Sequence, residues 1–115
     1  MGIGSKACIL KAKREFEDVF AKGKKIVTSD FVMYYLPVQQ DCVKFGICVG
    51  KTLGNAVVRN KMKRQIREVL RKIDFLQKGF HIVLVARRNL QNRDFSDIDK
   101  NINDILSILK KACPI

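Results

Sequence analysis

The stretch Gly54-Asn-Ala-Val-Val-Arg-Asn-Lys-Met-Lys-Arg-Gln-Ile-Arg-Glu-Val-Leu-Arg71 decides how the rest of this chain is read. At about 100° per residue, Val58, Met62, Ile66, Val69 and Ile73 fall on one stripe of a helix expected over residues 55–72, capped by Asn55. Arg59, Asn60, Lys63, Arg64, Arg67 and Arg71 fall on the opposite arc. Such a helix buries the stripe in a core and leaves the arc in water. Solvated faces usually mix signs, so that neighbours one turn apart compensate each other. Between Lys51 and Lys72 the only acid is Glu68. Cations this dense repel one another until a polyanion neutralises them. Arg offers a planar fork of donors and Lys a compact point charge, and both suit phosphate oxygens.

Composition points the same way. The chain has 115 residues and a net charge of +12. That length suits one domain, residues 1–115. Hydrophobic residues make up 47%, which fits a packed globule and excludes a disordered basic tail. A folded basic body points first to nucleic acid. The longest apolar runs, residues 31–36 and 82–86, are strand-sized, so no membrane span is expected. The N-terminus lacks the apolar core of a signal peptide, and Lys6 stands where a myristoylation motif needs Ser or Thr. A cytoplasmic location is the expectation. Cys8, Cys42, Cys48 and Cys113 form no Cys-x-x-Cys pair, so no metal motif is expected. Cys48 reads as a small core residue, and Cys8 and Cys113 as free thiols.

Outward from the basic helix the expected order is α-β-β-β-α-β-α. A helix over residues 12–22 places Phe16, Val19 and Phe20 on one face and ends at Gly23, with no good residue to cap its start. Strands follow over residues 25–29 and 31–38, with Pro37 marking an end or an edge. After a turn at 39–42, a strand over 43–51 is expected to pair with 31–38 as an antiparallel hairpin. A turn at Lys78 and Gly79 precedes a buried strand over 80–87. The last helix is expected from Ser96, with Asp99 as its capping acid and Pro114 marking its end. Its stripe is Ile98, Ile102, Ile105, Leu106 and Leu109. This is an α+β arrangement, one mixed sheet of about four strands with helices packed on it.

The chain resembles the protein subunit of bacterial ribonuclease P. The signature is Gly54-Asn55-Ala56-Val57-x-Arg59-Asn60-x-x-Lys63-Arg64-x-x-Arg67-x-x-x-Arg71. Around it, in the family's order, lie Phe16-x-x-Val19-Phe20 with Gly23, Phe31-Val32-x-Tyr34, Gly46-Ile47-x-Val49-x-Lys51, and Ile82-Val83-x-x-Ala86-Arg87. The resemblance implies a single-domain α/β sandwich like the second domain of ribosomal protein S5, with a left-handed βαβ crossover against the general rule. It implies a partner RNA that is itself the catalyst and holds most of the magnesium, and a substrate, precursor tRNA, whose 5′ leader is removed by hydrolysis. Arg59, Asn60, Lys63, Arg64, Arg67 and Arg71 would bind the catalytic RNA. Phe16, Phe20, Tyr34, Lys51, Arg87 and Arg88 would line the cleft for the leader. No membrane and no obligate protein partner are implied. The chain departs from the family at Cys48, Gly50 and Thr52, where Ser, Ser and Lys are common, and at Arg88-Asn89, where a Pro is common.

The residues argue separately against catalysis by the protein. A self-sufficient ribonuclease needs a paired acid and base, or carboxylates that hold metal. His81 stands alone in a strand pattern, and Asp94, Asp97 and Asp99 sit where a helix start favours acids. Phe16, Phe20 and Tyr34 read equally as core or as a stacking floor, and Asn60 as an RNA contact or a backbone partner. An RNA chaperone with a ribosomal-protein-like layout is the alternative function. A DNA-binding regulator fits less well, since no helix-turn-helix pair or zinc module is evident.

Overall fold

A computed structural model describes residues 8–39, 43–73 and 79–112. In chain order the elements are β1 (Cys8–Ile9), α1 (Lys13–Lys22), β2 (Lys24–Val27), β3 (Phe31–Pro37), β4 (Val43–Cys48), α2 (Ala56–Lys72), β5 (Phe80–Ala86) and α3 (Phe95–Ala112). Short 3-10 turns span Lys51–Leu53 and Arg88–Asn92. The expectations placed on residues 40–42, Lys6, Lys78, Cys113, Pro114 and the side chain of Cys8 lie outside the described residues.

The sheet order among these strands is β1-β4-β5-β3-β2. The expected order of elements stands, with β1 added as a two-residue strand parallel to β4. The expected hairpin does not form: β5 lies between β3 and β4. It pairs antiparallel with β3, from Phe31↔Ala86 to Pro37↔Phe80. It pairs parallel with β4, from Val43↔Phe80 to Cys48↔Val85. The reason is burial. Six of the seven residues of β5 are buried and the seventh is half-buried, and a strand apolar on both faces is most stable in the middle of a sheet covered twice. A β3–β4 hairpin would leave β5 on an edge with one face wet. A parallel neighbour requires a long crossover, and α2 supplies it.

Side chains alternate across each strand, so the sheet has two apolar faces. One packs Phe31, Met33, Phe45, Ile82 and Leu84 against Ile66 and Val69 of α2 and Ile102 and Ile105 of α3. The other packs Val83 against Leu10 and Val19, with Phe16, Tyr34, Leu36, Cys48 and Val85 around them. Each fully buried aliphatic or aromatic side chain contributes about 1.5–3 kcal/mol.

The helix ends refine the sequence reading. The Asn55 side chain accepts from the Val58 N–H at 3.0 Å, as expected of a cap. Val58 itself is not in the buried stripe. It is 39% exposed, and Leu70 joins Met62, Ile66 and Val69 in the core. Gly54 explains this: its φ of 142° swings the chain into the helix, and Val58 folds over that bend, where a Cβ on Gly54 would lie 2.9 Å from it. At α3 the capping acid is Asp94, not Asp99. Its carboxylate accepts from the Asp97 N–H at 2.9 Å, while Asp99 accepts from Asn103. At α1, where no capping side chain was expected, Ala12 stands at the start without a side-chain cap and Gly23 at the end.

One buried carboxylate fixes the sheet's far end. Asp30, between β2 and β3, is fully buried. It accepts from the Arg93 Nε at 3.1 Å, from the Asn101 amide and from the Ser29 hydroxyl. The same turn accepts from the Arg87 guanidinium at Thr28 O and from the Asn89 amide at Ser29 O. These bonds hold residues 87–93 against the β2–β3 turn.

Candidate nucleic-acid interface

The cationic arc of α2 faces outward. Asn60, Arg64, Arg67 and Arg71 are exposed, and Arg59 and Lys63 are half-buried. Among the described residues one carboxylate reaches this arc: Glu68 lies 3.7 Å from Arg71, both well exposed. An exposed pair of that kind contributes little. Arg59 has a second task, since its Nε donates to Gly54 O at 3.1 Å and braces the entry bend. The face therefore offers several guanidinium and ammonium groups with their donors directed to solvent, an arrangement suited to phosphates.

The other predicted set lies on the opposite face of the sheet. The β3–β5–β4 register builds rows across that face. Leu36, His81 and Lys44 form one, Tyr34, Val83 and Gly46 the next, and Val32, Val85 and Cys48 the third. Helix α1 covers the second row, where Val83 and Val19 are fully buried. The third row stays half-buried and forms an open strip beside α1. Phe20, 44% exposed, meets Tyr34 edge-on with ring centroids 4.8 Å apart at the border of this strip. Phe16 sits deeper, the outer carbons of its ring against the bare backbone of Gly46, where an added Cβ would lie 2.3 Å from the ring.

Lys51, Arg87 and Arg88 are exposed just beyond the ends of β4 and β5. They stand at the same end of the sheet as the third row. Arg87 spends one donor on Thr28 O at 2.7 Å. Sequence reading missed Val32, Val85 and Cys48 as the strip's floor. Their signal is the two-residue alternation with Tyr34, Val83 and Gly46, which becomes useful only once the register is known. Cys48 is half-buried against the α1-side cluster rather than enclosed. Burial pushes its thiol up, opposed weakly by the charge of Lys63, so the neutral thiol dominates.

A cavity of about 490 Å³ opens at the outer edge of β4 where β1 ends. Leu10, Phe16, Phe45 and Leu70 line it, and Lys63, Arg67 and Arg71 of α2 stand along it. It therefore adjoins both the cationic helix and α1.

His81 is buried under α1, and desolvation pushes its pKa down. Glu15 and Asp18 oppose that shift, and Lys44 adds to it. Lys44 bonds Glu15 at 3.1 Å across the α1–β4 seam. That bond holds the Glu15 carboxyl below its ordinary value. These groups tie α1 to the sheet. Among the described residues no helix is long and apolar enough to cross a membrane. No group of three or more His, Cys, Asp or Glu among them could hold a metal ion.

The family described as Ribonuclease P matches residues 5–110. The ribonuclease P protein component of Streptococcus agalactiae serotype Ia is 37% identical over 99 residues, covering 86% of this chain and 91% of that protein. That of Streptococcus mutans serotype c is 35% identical over 105 residues, 91% of this chain and 88% of the relative. Among solved structures, a Staphylococcus aureus RNase P protein superposes with a TM-score of 0.84 at 32% identity, over 91% of this chain and 97% of that one. The RNase P protein from Thermotoga maritima gives 0.76 at 31% identity, over 84% and 93%.

Proposed function

This chain belongs to the ribonuclease P protein family, and from that membership and its two surfaces we propose that it binds a catalytic RNA through α2 and guides the 5′ leader of precursor tRNA along α1. The observation that carries the reading is the arc of Lys63, Arg64 and Arg67, exposed to varying degrees and without a carboxylate partner among the described residues. Phosphates of a folded RNA supply the missing counter-charge, so much of the benefit comes from counterion release.

The second surface suits a single strand. Phe20 and Tyr34 at the border of the Val32–Val85–Cys48 strip offer flat apolar groups to unstacked bases. Such stacking contributes about 1–3 kcal/mol per base with little sequence preference. Lys51, Arg87 and Arg88 at the end of the strip meet the phosphates. A cofactor that serves many tRNA precursors needs that tolerance.

In this reading the scission centre and most of its magnesium lie on the RNA. The chain's own contribution, cations and aromatics, binds and orients phosphates and bases. It raises the local concentration of substrate and fixes the leader relative to the cleavage site, which is catalysis by positioning. Reconstitution with the catalytic RNA tests this. The protein is expected to stimulate cleavage of precursor tRNA at low magnesium. Binding of assorted RNAs without such stimulation would point instead to an RNA chaperone.

A further inference from the structure

We propose that the cavity at the outer edge of β4, where β1 ends, receives one unstacked nucleotide of the RNA partner, its base among the apolar walls and its phosphate on Arg67 and Arg71. This rests on the RNA-binding reading above and extends it to a specific subsite. The cavity, about 490 Å³, falls in the size range of small-molecule sites. It is far larger than the voids that ordinary packing leaves.

Its chemistry selects the occupant. The walls are Leu10, Phe45, Leu70 and the Phe16 ring, which suit a flat apolar body. The cations on α2 repel a metal ion and attract an anion joined to that body. A nucleotide combines the two.

The strand edge adds polar groups. Leu10 N–H donates to Phe45 O at 2.8 Å, so the backbone groups of Phe45 face this edge. Those of Ile47, two residues on, face the same way and lie past the end of β1 at Ile9. A base edge entering the cavity meets a backbone donor and acceptor there. The nucleotide comes from the folded RNA because α2 already carries that RNA's phosphates on the same residues.

A photo-crosslinking phenylalanine derivative at position 9 tests the assignment, in full-length protein bound to its catalytic RNA transcript. Ile9 lines the cavity and is 55% exposed, so substitution there spares the core. One crosslinked nucleotide is expected. Removing its base is expected to weaken binding of the parent protein about tenfold. Ile9→Trp, which fills the cavity, is expected to weaken binding to intact RNA by a similar factor, with no added loss on the abasic RNA. Thermal unfolding checks that this variant folds. Crosslinks scattered over many nucleotides, crosslinks to the protein itself, or an abasic RNA of unchanged affinity would each overturn the assignment while RNA binding through α2 stood. A parent protein that does not bind the transcript would overturn the functional reading, and this subsite with it.

Discussion

The ring of Phe16 lies where a side chain on Gly46 would have to be: a Cβ added there would come within 2.3 Å of the ring. The first helix thus seats an aromatic directly on the backbone of β4. A residue from the apolar face of α1 meets a glycine in a strand 30 positions later, and each explains the other's identity. This contact sets the depth at which α1 rides on the sheet. It thereby sets the width of the strip beside it and one wall of the edge cavity.

Gly46→Ala is expected to destabilise the protein by about 1–3 kcal/mol, as overpacking does. Phe16→Leu should offset part of that loss, because it removes the ring atoms the new methyl meets. Urea denaturation of the two single variants and the double variant checks it, and simple additivity would contradict the contact.

The Asp30–Arg93 pair should respond asymmetrically. The Asp30 side chain is 1% exposed and that of Arg93 37%. Arg93→Ala strands a buried carboxylate with only Asn101 and Ser29 as partners. Asp30→Ala leaves a guanidinium that can turn to water. Arg93→Ala is expected to cost about 3 kcal/mol, and Asp30→Ala less. Chemical denaturation decides the order.

Arg64→Ala with Arg67→Ala removes two exposed cations that make no ion pair with another described residue. The affinity for the catalytic RNA should fall. The slope of log affinity against log salt should become shallower by about 1.8 if both contact duplex phosphates. Filter binding across a salt series measures this, and an unchanged slope would show that these residues face away from the RNA.

Phe20→Ala separates the cleft from the core. Phe20 is 44% exposed, so the expected stability cost is about 0.5–1.5 kcal/mol, that of the ring pair with Tyr34. In the holoenzyme it should weaken leader-bearing tRNA by about 1–3 kcal/mol and spare mature tRNA. Equal losses for both tRNAs would point to damaged folding.

Acid should destabilise the fold through His81, the chain's one histidine. Burial holds its folded pKa below the ordinary imidazole value, so the unfolded chain takes up the proton first. Stability is therefore full above about pH 6.5 and falls as the pH drops through that value and on to the lower folded pKa. Melting curves between about pH 7 and 5.5 should show a decline in the parent protein that is absent in a stably folded His81 variant. The Glu15–Lys44 pair acts in a lower window. The depressed Glu15 carboxyl contributes stability above the ordinary carboxylate range and loses it as pH falls through its folded pKa.

Much of this was legible in the chain. The period of the apolar residues in α2 located the helix and its cationic arc, and Asn55 marked its start. The buried strand expected over residues 80–87 is β5, Phe80–Ala86. What the reading lost was partnership. β3 and β4 are neighbours in sequence, so a hairpin looked natural, yet β5 takes the place between them. The start of α3 offered several acids, and only the geometry selects Asp94 over Asp99. Nothing near Asp30 in the chain marks it as the anchor of the β2–β3 turn, because both its guanidinium and its amide partner arrive from more than 60 residues away.

The amino-acid order by itself determined which segments are helical or extended, which faces are apolar or charged, and to which family the chain is related. Those properties depend on spacing within a few turns. The folded arrangement alone decided that β5 takes the centre and that Val32, Val85 and Cys48 align in one row. It also decided that residues of α1 and α2 line one cavity at the outer edge of β4. These depend on which distant surfaces bury the most apolar area against each other, a competition settled over the whole molecule rather than within any one segment.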